Sequence, residues 1–169
     1  MEGNEKNLEI ECGRLRLRSL SIEEMERLQS GKSDRLQKSV LTEVIKSALI
    51  YKTEQMRKTS KEAHPWLNYW LIQEKESGRG VGLIGSKHLP DENGYVELGY
   101  AIAKECRNRG FMTEALDGFL DWLFGWDFCS GATLSIRESN APSLRVAEKC
   151  GFLYEKKQDA FRVYRYDFL

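Results

Sequence analysis

Apolar and polar positions along the first third of the chain follow two different periods, which predict one strand and two helices. The segment "LRLRSL" (15–20) alternates apolar and basic residues, which is typical of a strand with one solvated face. Ser21 can then cap a short helix, with Glu24 three residues further on. Between Leu41 and Met56 apolar residues recur with a period near 3.6, which predicts a longer helix.

The middle of the chain is typical of an antiparallel meander. The β-rich segments "LNYWLIQEK" and "GVGLIGSKHL" are joined by "ESGRG", a turn of hairpin length, so we expect them to pair antiparallel. "PDENG" (90–94) is a second turn signal, and "YVELGYAIA" after it predicts a third strand of the same meander.

The last third changes pattern and predicts two helices and three strands. The first helix has an apolar face made of Phe111, Met112, Ala115, Leu116, Phe119, Leu120, Leu123 and Phe124. "ATLSI" follows as a short strand, and either Asn140 or Ser143 can cap the helix "PSLRVAEKC", which Gly151 would end. "FLYEKKQ" and "FRVYRYDFL" predict two closing strands.

Together these elements predict a mixed α/β sheet in the order β-α-α-β-β-β-α-β-α-β-β. A strand, a helix and a further strand in succession favour a parallel β-α-β crossover, here placed after the antiparallel meander. The length of 169 residues fits a single domain over 1–169, with residues 1–12 as a flexible or edge extension.

The charge balance narrows the choice of partners. The 26 basic and 26 acidic residues give zero net charge, so no global positive field favours nucleic acid or an anionic membrane. The polar start "MEGNEKNLEIEC" lacks the apolar region of a signal peptide, and no run of 18 apolar residues could span a bilayer. We therefore expect a cytoplasmic protein with neither nucleic acid nor membrane as partner.

Cysteine and histidine spacing argues against a metal site. The four cysteines form no C-x-x-C pair, and two histidines are the only further ligands of that kind. We expect free or buried thiols and no bound metal. The residues concerned are Cys12, Cys106, Cys129, Cys150, His64 and His88.

The junction "ECRNRGFMTEAL" suggests an anion site. A helix N-terminus offers unpaired amides and a partial positive charge, Gly110 permits close approach or a positive φ, and Arg107 and Arg109 add charge. A tight turn with two solvated arginines would have the same sequence. Other phosphate loops fit poorly, because "GRGVGLIG" lies in a hairpin and no G-x-x-x-x-G-K-[ST] occurs.

Two blocks, "VELGYAIAKECRNRGFMTEAL" and "SNAPSLRVAEKCGF", resemble the GNAT N-acetyltransferases, and within them the RimJ/RimL-like branch. In that family an (Arg/Gln)-x-x-Gly-x-(Gly/Ala) loop holds the pyrophosphate of acetyl-CoA, and residues 107–112 occupy it here. Met112 departs from the pattern, and its side chain either crowds the cofactor or turns into the helix interface. The second block matches N-x-x-S-x-x-x-x-E-K-x-G-F from Asn140 to Phe152.

The resemblance implies an enzyme that transfers the acetyl group of acetyl-CoA to a primary amine by direct attack, without a metal. The acceptor would be a protein N-terminus or a small-molecule amine, and the enzyme a monomer or homodimer. The implied acetyl-CoA contacts include the strand backbone at 100–102. They are Tyr100, Ala101, Ile102, Arg107, Asn108, Arg109, Gly110, Phe111, Met112, Thr113, Asn140 and Ser143.

Two residues are candidates for the chemistry. Glu97 is the carboxylate on the strand leading to the loop and could take a proton from the amine, directly or through water; it could equally be a solvated or ion-paired strand residue. Ser143 resembles the branch's serine near the sulfur, and helix capping explains it equally well. Ala147 stands where many relatives have a tyrosine, so that acid is absent at this position.

Two other functions stay open from the sequence. One is a non-catalytic acyl-CoA-binding or regulatory domain, and the other is an interaction module without cofactor. The aromatic cluster Trp66, Tyr69 and Trp70 likewise has two interpretations, core packing or a wall of the acceptor pocket.

Overall fold

The computed structural model describes residues 8–32 and 35–168, and a single eight-stranded mixed sheet forms its centre. The spatial order of the strands is β1-β2-β3-β4-β5-β6-β8-β7. Their bounds are β1 Glu9–Cys12, β2 Leu15–Ser19, β3 Trp70–Glu74, β4 Gly80–Ser86, β5 Tyr95–Ile102, β6 Gly131–Arg137, β7 Leu153–Gln158 and β8 Phe161–Asp167. Residues 9–12 of the expected extension form the edge strand, whereas residues 1–7 lie outside the described part.

Among residues 8–32 and 35–168 five helices connect the strands, and they confirm the predicted mixed α/β fold. They are α1 Ile22–Gln29, α2 Glu43–Arg57, α3 His64–Leu67, α4 Phe111–Phe124 and α5 Ala141–Lys149. Short 3₁₀ turns occur at Lys38–Val40, Lys61–Ala63 and Lys104–Cys106. The structure adds β1 and α3 to the predicted order, because both are too short to show a period in the sequence.

Local signals at the helix ends act as the sequence indicates. Ser21 and Glu24 form the expected capping box at α1. At α5 the choice between two caps is resolved, because the Asn140 side chain accepts from the Ser143 amide at 3.3 Å. Gly151 follows the α5 C-cap with φ +91°, the left-handed conformation that a helix-ending glycine adopts without strain.

The sheet topology confirms the meander and the crossover. β3, β4 and β5 pair antiparallel in succession. β5 then pairs parallel with β6 after the chain has passed through α4. This parallel pairing joins residues 95–98 to residues 131–134 and extends no further, so the two strands part after Leu98 and Leu134.

The apolar face of α4 is buried except at its last residue. Phe111, Ala115 and Phe119 are at most 2% exposed, but Phe124 is 58% exposed and contacts the ring of Phe168 at 5.7 Å between centroids. Phe124 is the last residue of α4, and it is not among the buried residues of the helix.

The aromatic cluster belongs to the core. Trp66, Tyr69 and Trp70 are 2%, 6% and 0% exposed, and the Trp66 ring lies 4.9 Å from that of Trp122. Burial of this kind removes a large apolar area from water and stabilises the fold. The structure therefore favours core packing over a wall of the acceptor pocket.

A lysine occupies a core position of α2. Lys52 is 6% exposed, and its ammonium donates to the carbonyl of Ser86 at 2.9 Å and to those of Leu67 and Asn68 at 3.3 Å. It also lies 4.5 Å from the centre of the Tyr69 ring. Burial, with a smaller effect of the Lys87 charge, lowers the pKa of Lys52 to about 7.

Candidate active site

The site begins where strands β5 and β6 part. Residues 99–102 of β5 still pair with β4 on one side, but their other edge has lost β6. β6 beyond Leu134 pairs with β8 alone. One edge of the β5 backbone is thus left open to a ligand with amide groups, as the resemblance implies for Tyr100, Ala101 and Ile102.

A cavity of about 670 Å³ opens at this gap. β5 contributes Tyr100, Ala101 and Ile102 to its lining, and the following loop and helix contribute Cys106, Arg107, Asn108, Gly110, Phe111, Met112 and Thr113. The structure therefore brings the strand, the loop and the start of α4 together around one space.

The loop before α4 leaves several backbone amides unpaired at the start of the helix. Asn108 and Gly110 both have positive φ, +62° and +76°, and Gly110 is the N-cap of α4 without any side-chain cap. Within the described ranges, the amides of Phe111, Met112 and Thr113 have no hydrogen-bond acceptor. Three free donors at the positive end of a helix dipole form a site that favours phosphate oxygens.

Arg14, which the sequence did not single out, braces this loop. Its guanidinium donates to the Glu114 carboxylate at 2.8 and 2.9 Å and to the carbonyl of Arg109 at 2.8 Å. It also stacks over the Phe111 ring at 4.5 Å. No sequence pattern joins residues that lie 100 positions apart, so this contact could be found only in the tertiary structure.

The two loop arginines have different surroundings. Arg107 lines the cavity, whereas Arg109 is not among the lining residues. The backbone carbonyl of Arg109 accepts a hydrogen bond from Arg14. Met112 is 6% exposed and packs in the core, with part of it bordering the cavity. Its side chain thus turns mainly toward the helix interface, and its amide stays free.

Helix α5 forms the opposite wall through Asn140, Pro142, Ser143, Arg145, Val146 and Lys149. The Tyr100 hydroxyl donates to the carbonyl of Ser143 at 3.3 Å, which ties α5 to β5, and burial raises the pKa of Tyr100 well above its ordinary value. Ser143 is half-buried, and its own hydroxyl has no hydrogen-bond partner in the described part of the chain. It is therefore free to meet a ligand.

Glu97 lies outside the lining of the cavity. Its carboxylate pairs with the Lys87 ammonium at 3.0 Å, and its side chain is 31% exposed. It sits two residues before the point where β5 loses its parallel neighbour. The structure thus places Glu97 beside the gap but does not bring it together with Ser143.

Several lining residues were missed from the sequence. Ser39, Val40 and Thr42, between α1 and α2, cover one side of the cavity, and Ser39 binds the Glu105 carboxylate at 2.8 Å. No local signal marked them. Arg145 and Lys149 carried a signal, because charged residues four apart in a helix share one face.

Comparison with known proteins places the chain in a family. The profile described as "Acetyltransferase (GNAT) domain" matches residues 14–153, so the chain belongs to the GNAT acetyltransferases. It is 31% identical over 97 residues to the uncharacterized N-acetyltransferase YjdG of Bacillus subtilis, covering 57% of this chain and 58% of YjdG. With the uncharacterized protein YkkB of the same organism it shares 29% over 112 residues, 59% of this chain and 65% of YkkB.

Solved structures agree on the fold. RimL, a ribosomal L7/L12 alpha-N-protein acetyltransferase, superposes with a TM-score of 0.70 at 14% identity, covering 99% of this chain and 98% of RimL. The microcin C7 self immunity acetyltransferase MccE, solved with acetyl-CoA and AMP, gives a TM-score of 0.65 at 15% identity, covering 92% of this chain and 93% of its own. The fold is therefore RimL-like, as the sequence blocks predicted.

The described residues include neither a candidate metal site nor a helix that could span a membrane. No group of three or more His, Cys, Asp or Glu side chains among residues 8–32 and 35–168 could hold a metal ion. Over the same ranges no helix is long and apolar enough to cross a bilayer.

Proposed function

We propose that this GNAT acetyltransferase transfers the acetyl group of acetyl-CoA to a primary amine by direct attack. The observation that carries the proposal is the cavity itself, in which free helix amides and an open strand edge face one another. The free helix amides suit the pyrophosphate of acetyl-CoA, and the open strand edge suits the amides of its pantetheine arm.

Residues at the two ends of the cavity have separate roles in binding. At the phosphate end the amides of Phe111, Met112 and Thr113 donate to oxygen, and Arg107 supplies full charge. At the other end Asn140 fixes the first turn of α5 by accepting from the Ser143 amide. The arm then lies along residues 100–102 of β5, which points the thioester toward the place where the strands part.

The chemistry needs a proton acceptor for the amine and support for the leaving thiolate. The amine nitrogen forms a bond to the acetyl carbon, the carbon–sulfur bond breaks, and one amine proton must leave. Glu97, beside the gap, takes that proton directly or through water. Ser143 donates its free hydroxyl to the sulfur as negative charge develops there.

One observation favours a second candidate, a non-catalytic acyl-CoA-binding domain. Glu97 lies outside the cavity lining and is already paired with Lys87 at 3.0 Å. In such a domain the cavity would bind acetyl-CoA, and no carboxylate would be available to the amine.

A release assay separates these candidates. The purified protein is incubated with acetyl-CoA and a panel of amines, comprising peptide N-termini, polyamines, an aminoglycoside and simple primary amines, and the free CoA thiol is measured. We expect release with at least one class and slower release by Ser143→Ala. Stabilisation by acetyl-CoA without release for any amine would favour the binding domain, and no stabilisation at millimolar ligand would favour an interaction module.

A further inference from the structure

Two exposed cations of α5 line the cavity. Arg145 and Lys149 lie one helical turn apart on the face that borders the cavity. Neither has an ion pair or side-chain hydrogen bond within residues 8–32 and 35–168. The carboxylate of Glu148 is directed elsewhere, because it accepts from the Tyr164 hydroxyl at 3.5 Å.

The two helices that flank the cavity are held at a defined distance by a contact at the end of α5. The Cys150 thiol donates to the carbonyl of Thr113, in the first turn of α4, at 3.5 Å between sulfur and oxygen. Lys149 therefore lies on the side of the cavity where the free α4 amides are. Ser143 lies about 9 Å away along α5, by the helical rise of about 1.5 Å per residue, and contacts Tyr100 instead.

The charged side chains that line the cavity are all basic. They are Arg107, Arg145 and Lys149, and no aspartate or glutamate is among the described lining residues. Free amides with Arg107 suit the two single charges of a pyrophosphate diester. A phosphomonoester carries about 1.5 to 2 negative charges at neutral pH and three terminal oxygens, so further cations are needed to neutralise it.

We propose that Arg145 and Lys149 bind the 3′-phosphate of CoA and make the protein select CoA over its 3′-dephospho form. This inference rests on the proposed function, since it assigns a further part of the same ligand. The simpler explanation is a solvated helix end, in which Lys149 only interacts with the negative end of the α5 dipole. The two explanations differ in what they predict for a ligand without the 3′-phosphate.

The test measures the affinities of CoA and 3′-dephospho-CoA by isothermal titration calorimetry. The proteins are the unmodified chain, the double variant Arg145→Gln with Lys149→Gln, and the control Lys156→Gln, which removes one exposed charge on β7 outside the cavity lining. We expect the unmodified chain to prefer CoA by about tenfold or more, as a few charge-assisted contacts would produce. The double variant should lower this ratio to about twofold by weakening CoA alone, and the control should leave it unchanged.

Other outcomes overturn the inference and locate the error. An equal loss for both ligands in the double variant would put the two cations on the pyrophosphate. Equal affinity of the unmodified chain for both ligands would show that the protein does not recognise the 3′-phosphate, while leaving the proposed function intact. Binding of neither ligand would refute the proposed function as well. Ligand-free thermal unfolding checks that all three proteins fold alike, which we expect because Arg145, Lys149 and Lys156 are exposed.

Discussion

Arg14 and Glu114 form a two-point ion pair that closes over the first turn of α4, with nitrogen–oxygen distances of 2.8 and 2.9 Å. The same arginine donates to the carbonyl of Arg109, so the pair connects the β1–β2 turn to the loop before α4. The Glu114 carboxylate also accepts from the Arg14 amide. Both guanidinium nitrogens donate to the same carboxylate oxygen, Oε2, while the Arg14 amide donates to Oε1, so three hydrogen bonds fix the pair although the guanidinium is half-exposed.

We expect Arg14→Gln to weaken acetyl-CoA binding by about three- to tenfold while lowering the free energy of unfolding by only about 1 kcal/mol. The loop would lose a brace, and the amides would no longer be held toward the ligand. Calorimetry with acetyl-CoA and thermal unfolding measure the two effects. The matched control is Arg16→Gln. It breaks the 2.7 Å contact between Arg16 on β2 and Glu11 on β1, and it should leave the affinity for acetyl-CoA unchanged. Equal affinity of the Arg14 variant and the unmodified chain would contradict the bracing role.

Gly110→Ala should strain the loop through its backbone alone. A Cβ there meets nothing closer than the Arg14 guanidinium at 3.6 Å, but φ is +76°, which costs roughly 1 kcal/mol for a residue with a side chain. We expect lower stability together with weaker acetyl-CoA binding, measured on the same preparation. Gly151→Ala, also at positive φ but at the end of α5, should lower stability without changing affinity. Affinity loss in both variants would mean that general destabilisation is the cause.

Charge reversal distinguishes the two loop arginines. Arg107→Glu places a negative charge in the cavity lining and should abolish the stabilisation by acetyl-CoA, which is about 2.7 kcal/mol at a hundred times Kd. Arg109→Glu changes a side chain outside the lining and should reduce that stabilisation only in part. Thermal shift with a ligand titration measures both. If Arg109→Glu had the larger effect, Arg109 and not Arg107 would contact the pyrophosphate.

Glu97→Gln should lower kcat by about 10²-fold or more once an acceptor amine is known, because the carboxylate would no longer take the amine proton. Affinity for acetyl-CoA should stay unchanged, since Glu97 lies outside the cavity lining. Glu92→Gln, at an exposed carboxylate in the turn before β5, is the matched control. Full activity of the Glu97 variant would assign the proton transfer to water or another group.

Lys52 predicts a particular dependence of stability on pH. Its pKa of about 7 in the folded protein lies below the ordinary value of about 10.4 that applies after unfolding. Between these values the unfolded chain binds more protons, so this residue makes stability rise with pH. Below pH 7 the lysine is charged in both states, and its contribution is constant and at its least favourable.

The measurement compares unfolding free energies of the unmodified chain and Lys52→Met from pH 6 to 9. Their difference should move in favour of the unmodified chain by up to about 1.4 kcal/mol per pH unit above pH 7. Lys46→Met is the control on the same helix, because Lys46 is partly exposed and makes only a 3.8 Å contact with Glu43. A difference that does not change with pH would show that Lys52 stays charged where it is buried.

Local features of the sequence were sufficient to determine most of the fold. The Ser21 capping box, the 3.6-residue period of α4 and the turn before β5 depend on interactions between residues near one another in the chain, so each can be recognised without knowing the rest. The order of strands and helices followed from them. Short elements such as β1 and α3 were not predicted from the sequence, because they depend on contacts with their neighbours in space.

The sequence by itself also predicted the position of the candidate ligand site. A glycine ahead of an amphipathic helix, with Arg107 beside it, indicates an anion site because helix amides and backbone freedom are properties of that segment alone. Only the tertiary structure decided which side chains share the cavity. It excluded Arg109 and Glu97 from the lining and added Ser39, Arg145 and Lys149. These choices depend on where β5 and β6 part and on how α5 packs, which are set by contacts between distant residues such as Cys150 with Thr113.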